Sequence, residues 1–112
     1  MNITVIGRHM DVTDAMRAHA EEKVGKLPRL YDALLSADVT FGSDAGEYAV
    51  EIVATGKRKS VFVARQHGPD MYACLDQCLH KLQQQLRRHK DRVRDRQGPG
   101  HQQTMLPEAP GQ

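Results

Sequence analysis

Apolar and polar positions alternate from Asn2 to Arg8, with Ile3, Val5 and Gly7 on one side, which predicts a first strand. The interval then changes. Met16, Ala20, Val24 and Leu27 recur at spacings of four, four and three, the single apolar stripe of an amphipathic helix. Thr13 is placed to cap its start, and Asp14 sits at the positive end of its dipole. Pro28 disfavours helical geometry at Leu27, so the helix is expected to stop near there. Alternation returns with Leu35, Ala37, Val39 and Phe41 against Ser36, Asp38 and Thr40, a half-buried second strand. GSDAG is a turn by composition. Tyr48, Val50, Ile52 and Ala54 face inward from a third strand whose other side carries Glu47 and Glu51. TGKRK makes the next turn and SVFVARQ a fourth strand. Its period leaves two candidate inner faces, Val61 with Val63 or Phe62 with Ala64.

His67-Gly68-Pro69 interrupts the pattern, and Asp70 is a good cap for a long second helix. Its seam is Leu75, Leu79, Leu82 and Leu86, after which only His89 and Val93 continue the stripe. The last turns are therefore expected to outrun the core. The element order is β-α-β-β-β-α. Two helices on one face of a four-stranded sheet, an α+β architecture, is the simplest way to bury both stripes and the strand faces. Residues 1–96 are read as one domain. From Gln97 onward, QGPGHQQTMLPEAPGQ has three Gly, three Pro and little apolar content, and 97–112 is expected to be a disordered tail.

Charge changes this picture more than composition does. The formal net charge is +2, but it is segregated. Asp32 to Gly56 holds five acids and no base, Lys57 to Arg65 four bases and no acid, and Lys81 to Arg96 seven bases against two acids. Such a chain is expected to fold with an acidic sheet side and a basic helical side. Without Trp and with few aromatics, the core should be aliphatic. No apolar run approaches the ~20 residues of a membrane helix. No signal-peptide pattern opens the chain, and the cytosol is the expected compartment.

On the second helix Lys81, Arg88, Arg92 and Arg96 form one basic stripe, and Arg87, Lys90 and Arg94 a second, adjacent one. The first helix adds Arg17, Lys23 and Lys26. Together they read as a band suited to phosphate contacts rather than base reading. The same charges also suit a merely solvated helix, because Asp91 and Asp95 stand within pairing distance of several arginines at ~0.2–0.5 kcal/mol a pair. The expected sheet face offers acids where an RNA-reading sheet offers stacking aromatics, which speaks against base recognition there.

Other chemistry is thinner. Cys74 and Cys78 share a helix face with no matching His or further Cys, which favours two small buried residues over a metal site. No nucleophile–base pair and no glycine-rich phosphate loop is evident, so neither an enzyme nor a cofactor is expected.

DMYACLDQCLHKLQQQLRRHKD, from Asp70, resembles the second-helix signature of the hibernation-promoting factors, the ribosome-associated translation inhibitors of bacteria. Asp70-Met71-Tyr72-Ala73, Asp76, Lys81-Leu82, Gln85-Leu86 and Arg88-His89-Lys90 carry the likeness. NITVIGRHMDVTDAMRAHAEEKVGKL resembles the family's first strand and helix. The resemblance covers roughly residues 1 to 95 and is weak between Ser43 and Gln66. It implies binding of the small ribosomal subunit and its rRNA in the channel of messenger and transfer RNA, during stationary phase or stress. It implies rRNA contacts by Arg17, Lys23, Lys26, Lys81, Arg88, Lys90 and Arg92, with His89 as an addition. It further implies a short form, either of the dimer-promoting type that works with a separate ribosome modulation factor or of a type whose extended tail interferes with dimerisation. The tail from Gln97 lacks the acidic character of the interfering type, which favours the first. Two other readings stay open: a protein adaptor, such as a modulator of an alternative sigma factor, and a generic double-stranded RNA binder. The cationic turn Lys57-Arg58-Lys59 is either an extra RNA contact or a solvated loop.

Overall fold

Two side chains fix where the helices begin. Thr13 Oγ1 accepts from the backbone N–H of Met16 at 3.1 Å. Asp70 Oδ1 accepts from Tyr72 N at 3.0 Å and Ala73 N at 3.3 Å. Each satisfies amide groups that a first helical turn leaves without partners. The computed structural model describes residues 1–97, the side chains of Asp44 and of 93–97 excepted, so the expected tail lies outside the described residues but for Gln97. In chain order the elements are β1 (Asn2–Arg8), α1 (Asp14–Val24), β2 (Leu34–Asp44), β3 (Glu47–Gly56), β4 (Val61–Gly68) and α2 (Met71–Gln97). Single 3-10 turns lie at Leu27–Arg29 and Lys57–Lys59.

The sheet runs β1-β2-β3-β4 in space. β1 and β2 are parallel, which requires a crossover, and α1 supplies it; the other pairs are antiparallel. Val5, the β2 set Ala37, Val39 and Phe41, the β3 set Val50, Ile52 and Ala54, and the β4 pair Phe62 and Ala64 form the inner face. Against them pack Met16, Ala20 and Val24 of α1 and Leu75, Leu79, Leu82 and Leu86 of α2. Every buried residue among the described ones is apolar or a cysteine. The expected β-α-β-β-β-α fold, with both helices on one side of the sheet, is the one that forms.

Three local expectations need correction or completion. α1 ends at Val24, earlier than the apolar stripe suggested, and Gly25 N–H donates to Glu21 O to close it. Leu27 is still buried, but on the separate 3-10 turn that contains Pro28. On β2 the inner residue is Leu34, and Leu35 is half exposed. The register slips between Leu34 and Ser36, a bulge that puts two consecutive residues on the outer side, where strict alternation fails. The β2–β3 hairpin closes on only Ala45 and Gly46, both with positive φ (53° and 82°), so β2 continues to Asp44 instead of ending at Phe41 before the expected GSDAG turn. On β4 the open choice falls to Phe62 and Ala64, leaving Val61 and Val63 outside.

Candidate nucleic-acid interface

The seam of α2 lies over β3 and β4, so the cations beside it fall on two flanks. At about 100° per residue, Lys81, Arg88 and Arg92 share one flank, while Arg87 and Lys90 lie on the other. Two contacts fix the first flank. Lys81 Nζ donates to the Arg65 carbonyl at 3.0 Å, and Gln85 Nε2 donates to the Val63 carbonyl at 2.8 Å. Both acceptors are on β4, an edge strand, so this flank overhangs the open side of the sheet. Across the helix, His19 of α1 lies 3.6 Å from Asp76 Oδ1 and meets the Tyr72 ring edge-on at 4.8 Å between centroids. Arg87 and Lys90 therefore share the side of α2 that faces α1.

The first helix is divided in the same way. Arg17 Nη1 donates to the Val5 carbonyl at 3.3 Å, over the outer edge of β1. Lys23 is four residues after His19 and lies with it on the flank that faces α2, half-buried. Lys26 is exposed just beyond the helix end. The single basic band expected from the sequence is thus divided: Arg17 lies at the β1 edge, Lys23 with Arg87 and Lys90 on the interhelical side, and Lys81, Arg88 and Arg92 over the β4 edge, with Lys26 beyond the end of α1. The two stripes of α2 are not adjacent, because the apolar seam and the solvent face separate them.

His89 continues the seam as the sequence suggested, and it packs. Its Nε2 shares a hydrogen bond of 3.2 Å with the Tyr31 hydroxyl. Its ring meets those of Tyr31 and Phe62 edge-on, each at 5.2 Å. Beside it a groove of about 360 Å³ opens between the start of β4 and α2, lined by Ser60, Val61, Gln85, Arg88 and Arg92. Tyr31 and Gln85 were not singled out as site residues, though Gln85, four residues after Lys81, shares its flank by spacing alone.

The open sheet face is not the acidic surface expected. Its cross-strand rows read Thr4-Asp38-Val53-Val63, Ile6-Thr40-Glu51-Arg65 and Arg8-Gly42-Ala49-His67. Arg65 Nε donates to Glu51 Oε2 at 2.6 Å, and His67 Nδ1 lies 3.3 Å from Glu47 Oε1. β1 and β4 bring cations and valines to a face read from β2 and β3 alone. Stacking aromatics are still missing from these rows, so the case against base reading on the sheet holds.

Cys74 and Cys78 are buried, as expected. Cys78 Sγ donates to the Ala64 carbonyl at 3.1 Å, and burial pushes its pKa up to about 11. Burial also raises Cys74, with Asp70 and Glu47 adding to the effect. Both thiols are packing residues that tie α2 to the sheet. Among the described residues no helix is long and apolar enough to cross a membrane.

These features define a class: a β-α-β-β-β-α domain with an apolar core, whose helical layer and strand edges carry its cations. The chain belongs to the family described as Sigma 54 modulation protein / S30EA ribosomal protein, matched over residues 3–94. It is 33% identical to the ribosome hibernation promoting factor of Azotobacter vinelandii over 87% of this chain and 90% of that one. It is 34% identical to the ribosome hibernation promotion factor of Bacillus subtilis over 83% of this chain, spanning only 50% of that longer protein. The crystal structure of the N-terminal domain of Thermus thermophilus protein Y superposes with a TM-score of 0.73 at 30% identity, covering 80% of this chain and 99% of that one. A ribosomal subunit interface protein from Coxiella burnetii gives 0.76 at 25% identity, covering 81% and 99%. The family resemblance read from the second helix is thereby established.

Proposed function

We propose that this protein is a non-catalytic ribosome hibernation factor, which binds the small subunit through rRNA phosphates and blocks the channel of messenger and transfer RNA. The observation that carries the reading is the flank of Lys81, Arg88 and Arg92, held over the β4 edge by hydrogen bonds from Lys81 and Gln85. Arg88 and Arg92 are exposed on a rigid helix whose opposite side is anchored in the core. Guanidinium groups in such a setting suit phosphate oxygens and carry little sequence information. The names of the relatives support hibernation as the process. Lys23 and Lys90 form a second contact group on the interhelical side, and Lys26 and Arg17 add further contacts at the end of α1 and the β1 edge. His89 acts in this reading by packing, setting the axis of α2 where Arg88 and Arg92 project. The cytoplasm, the short dimer-promoting type and cooperation with a ribosome modulation factor complete the proposal.

Co-sedimentation with isolated small and large subunits across a salt series, with duplex RNA as competitor, is the test. Saturable, salt-sensitive binding to the small subunit that duplex RNA does not displace is expected. Absence of small-subunit binding at low salt would reject the reading.

A second reading has its own support. Leu35, Val61 and Val63 are exposed apolar residues on the outer sheet face, and the family description includes modulation of sigma 54. A protein adaptor working through that face would tolerate charge reversal on α2, whereas a ribosome factor would not.

A further inference from the structure

Arg58 and Lys59 are consecutive non-glycine residues with φ of 60° and 62° in the turn between β3 and β4. The left-handed region disfavours any residue with a side chain, by about 1–2 kcal/mol each. The turn is nevertheless pinned in this shape. Gly56 N–H donates to Ser60 O at 2.8 Å, Lys57 N–H to Ala33 O at 3.0 Å, and Ser60 Oγ to Lys57 O at 3.0 Å. The result is three adjacent exposed cations, Lys57, Arg58 and Lys59, on a tightly tied loop. Backbone strain that the surroundings hold in place tends to accompany function.

The turn ends at Ser60, and Ser60 lines the groove between β4 and α2 together with Arg88 and Arg92. The β4 edge beside that groove is partly covered by α2. In an antiparallel ladder the N–H and C=O of one residue point to the same side. The carbonyls of Val63 and Arg65 point away from β3, because Gln85 and Lys81 reach them from α2. The amides of Val63 and Arg65 point outward with them. The helix thus occupies two of the outward-facing acceptors of this edge. Arg88 and Arg92 of α2 line the cleft, and the cationic turn adjoins it at Ser60. Of the nearby acids, Asp91 is exposed about 100° around α2 from Arg92 and does not line it.

We propose that this cleft seats the phosphodiester backbone of a single RNA strand. Arg88 and Arg92 line it, and the cations of the Lys57–Lys59 turn hold the strand at its Ser60 end. This rests on the ribosome-binding reading and extends it, by adding a turn that neither helix supplies. Its size, about 360 Å³, is near the lower limit of ligand clefts at roughly 300–1,000 Å³. That admits a sugar-phosphate unit. Recognition is by charge and shape, since Phe62 at the base of the cleft is buried and not free to stack.

The test uses the double variant R58G/K59G in the full chain. Glycine accepts positive φ, so this change removes two charges while relieving the strain. The variant is expected to fold with a urea midpoint at or above the parent's. Binding is read with two probes, a short mixed-sequence single-stranded RNA and isolated small subunits, each across a salt series. The expected result is RNA binding at least about tenfold weaker, with the log–log salt slope shallower by roughly 0.7 for each phosphate that is no longer neutralised. Unchanged affinity and slope toward both probes would overturn the cleft and leave the hibernation reading standing, provided the parent binds small subunits. A parent that binds the RNA in a turn-dependent way but ignores small subunits would support the cleft and reject hibernation. A parent that does not bind single-stranded RNA at low salt would also overturn the cleft.

Discussion

The Tyr31 hydroxyl and His89 Nε2 are 3.2 Å apart across 58 residues of sequence. Phe62 contacts both rings, at 6.0 Å from Tyr31 and 5.2 Å from His89, so the loop after α1, the start of β4 and the far part of α2 meet in one aromatic cluster. The leucine seam ends at Leu86, and this cluster carries the packing of α2 one turn further. Arg88 and Arg92 flank it. Their direction therefore depends on a contact that is itself outside the aliphatic core.

Tyr31→Phe should keep the ring contacts and remove only the hydrogen bond, a destabilisation of about 1 kcal/mol. His89→Ala removes the bond and both edge-on contacts, each contributing roughly 0.5–1.5 kcal/mol. It should therefore lower stability more than Tyr31→Phe does. Urea midpoints at unchanged slope measure both. Equal midpoints for Tyr31→Phe and the parent would mean that the bond is not made in solution.

Replacing Arg88 and Arg92 together by Glu should leave the far-ultraviolet circular dichroism spectrum and the urea midpoint close to the parent's, because both are exposed. Small-subunit affinity should fall by at least about tenfold, since leaving two phosphates without their cations alone removes a slope of roughly 1.4–1.8 in log salt. The paired control is Lys23→Glu with Lys90→Glu on the interhelical side. Weaker binding confined to the control would move the site to the groove between the helices.

Much of this molecule was legible in its spacing. The seam of α2 and the inner faces of β2 and β3 follow from periodicities of 3.6 and 2, and the caps Thr13 and Asp70 from side-chain oxygens placed just ahead of each helical stripe. The division of the cations did not follow, for a physical reason. Helical spacing places Lys81 opposite Lys90, but which flank overhangs a strand edge depends on how α2 docks, and no local pattern encodes docking. The open sheet face was misjudged for a related reason. Its charge is set by which strands are neighbours, so Arg65 neutralises Glu51 only after β4 pairs with β3. Leu35 was misplaced because a bulge suspends alternation without a marker such as glycine.

Gln85→Ala should cost about 1 kcal/mol, the net contribution of an ordinary hydrogen bond. Its second effect is the more diagnostic one. Removing the amide exposes the Val63 carbonyl on an edge strand whose outer side chains include Val61 and Val63, and exposed edges invite pairing with other chains. Sedimentation velocity at rising concentration should show self-association in the variant at concentrations where the parent shows none. A variant that stays as dispersed as the parent would mean that Lys81 alone keeps the edge closed.

Cys78 makes stability fall on the alkaline side. Its pKa is raised from 9.0 to about 11 because burial disfavours the thiolate. An acid whose folded pKa lies above its unfolded value binds more protons folded than unfolded between the two. Its contribution is thus complete below pH 9 and lost as pH rises toward about 11. At full extent a shift of this size corresponds to about 2–3 kcal/mol. Cys74 acts in the same direction. Urea unfolding of the parent and of Cys78→Ala, compared at neutral pH and through this window, isolates the effect. The parent should lose more stability than the variant as pH rises, so that the gap between them narrows. In the same window the native thiols should react with an alkylating reagent far more slowly than the unfolded chain, since the thiolate is the nucleophile. Rapid alkylation of native protein near neutral pH would show that α2 opens from the sheet at Cys78, and the site built on that helix would then lack the rigidity argued for it.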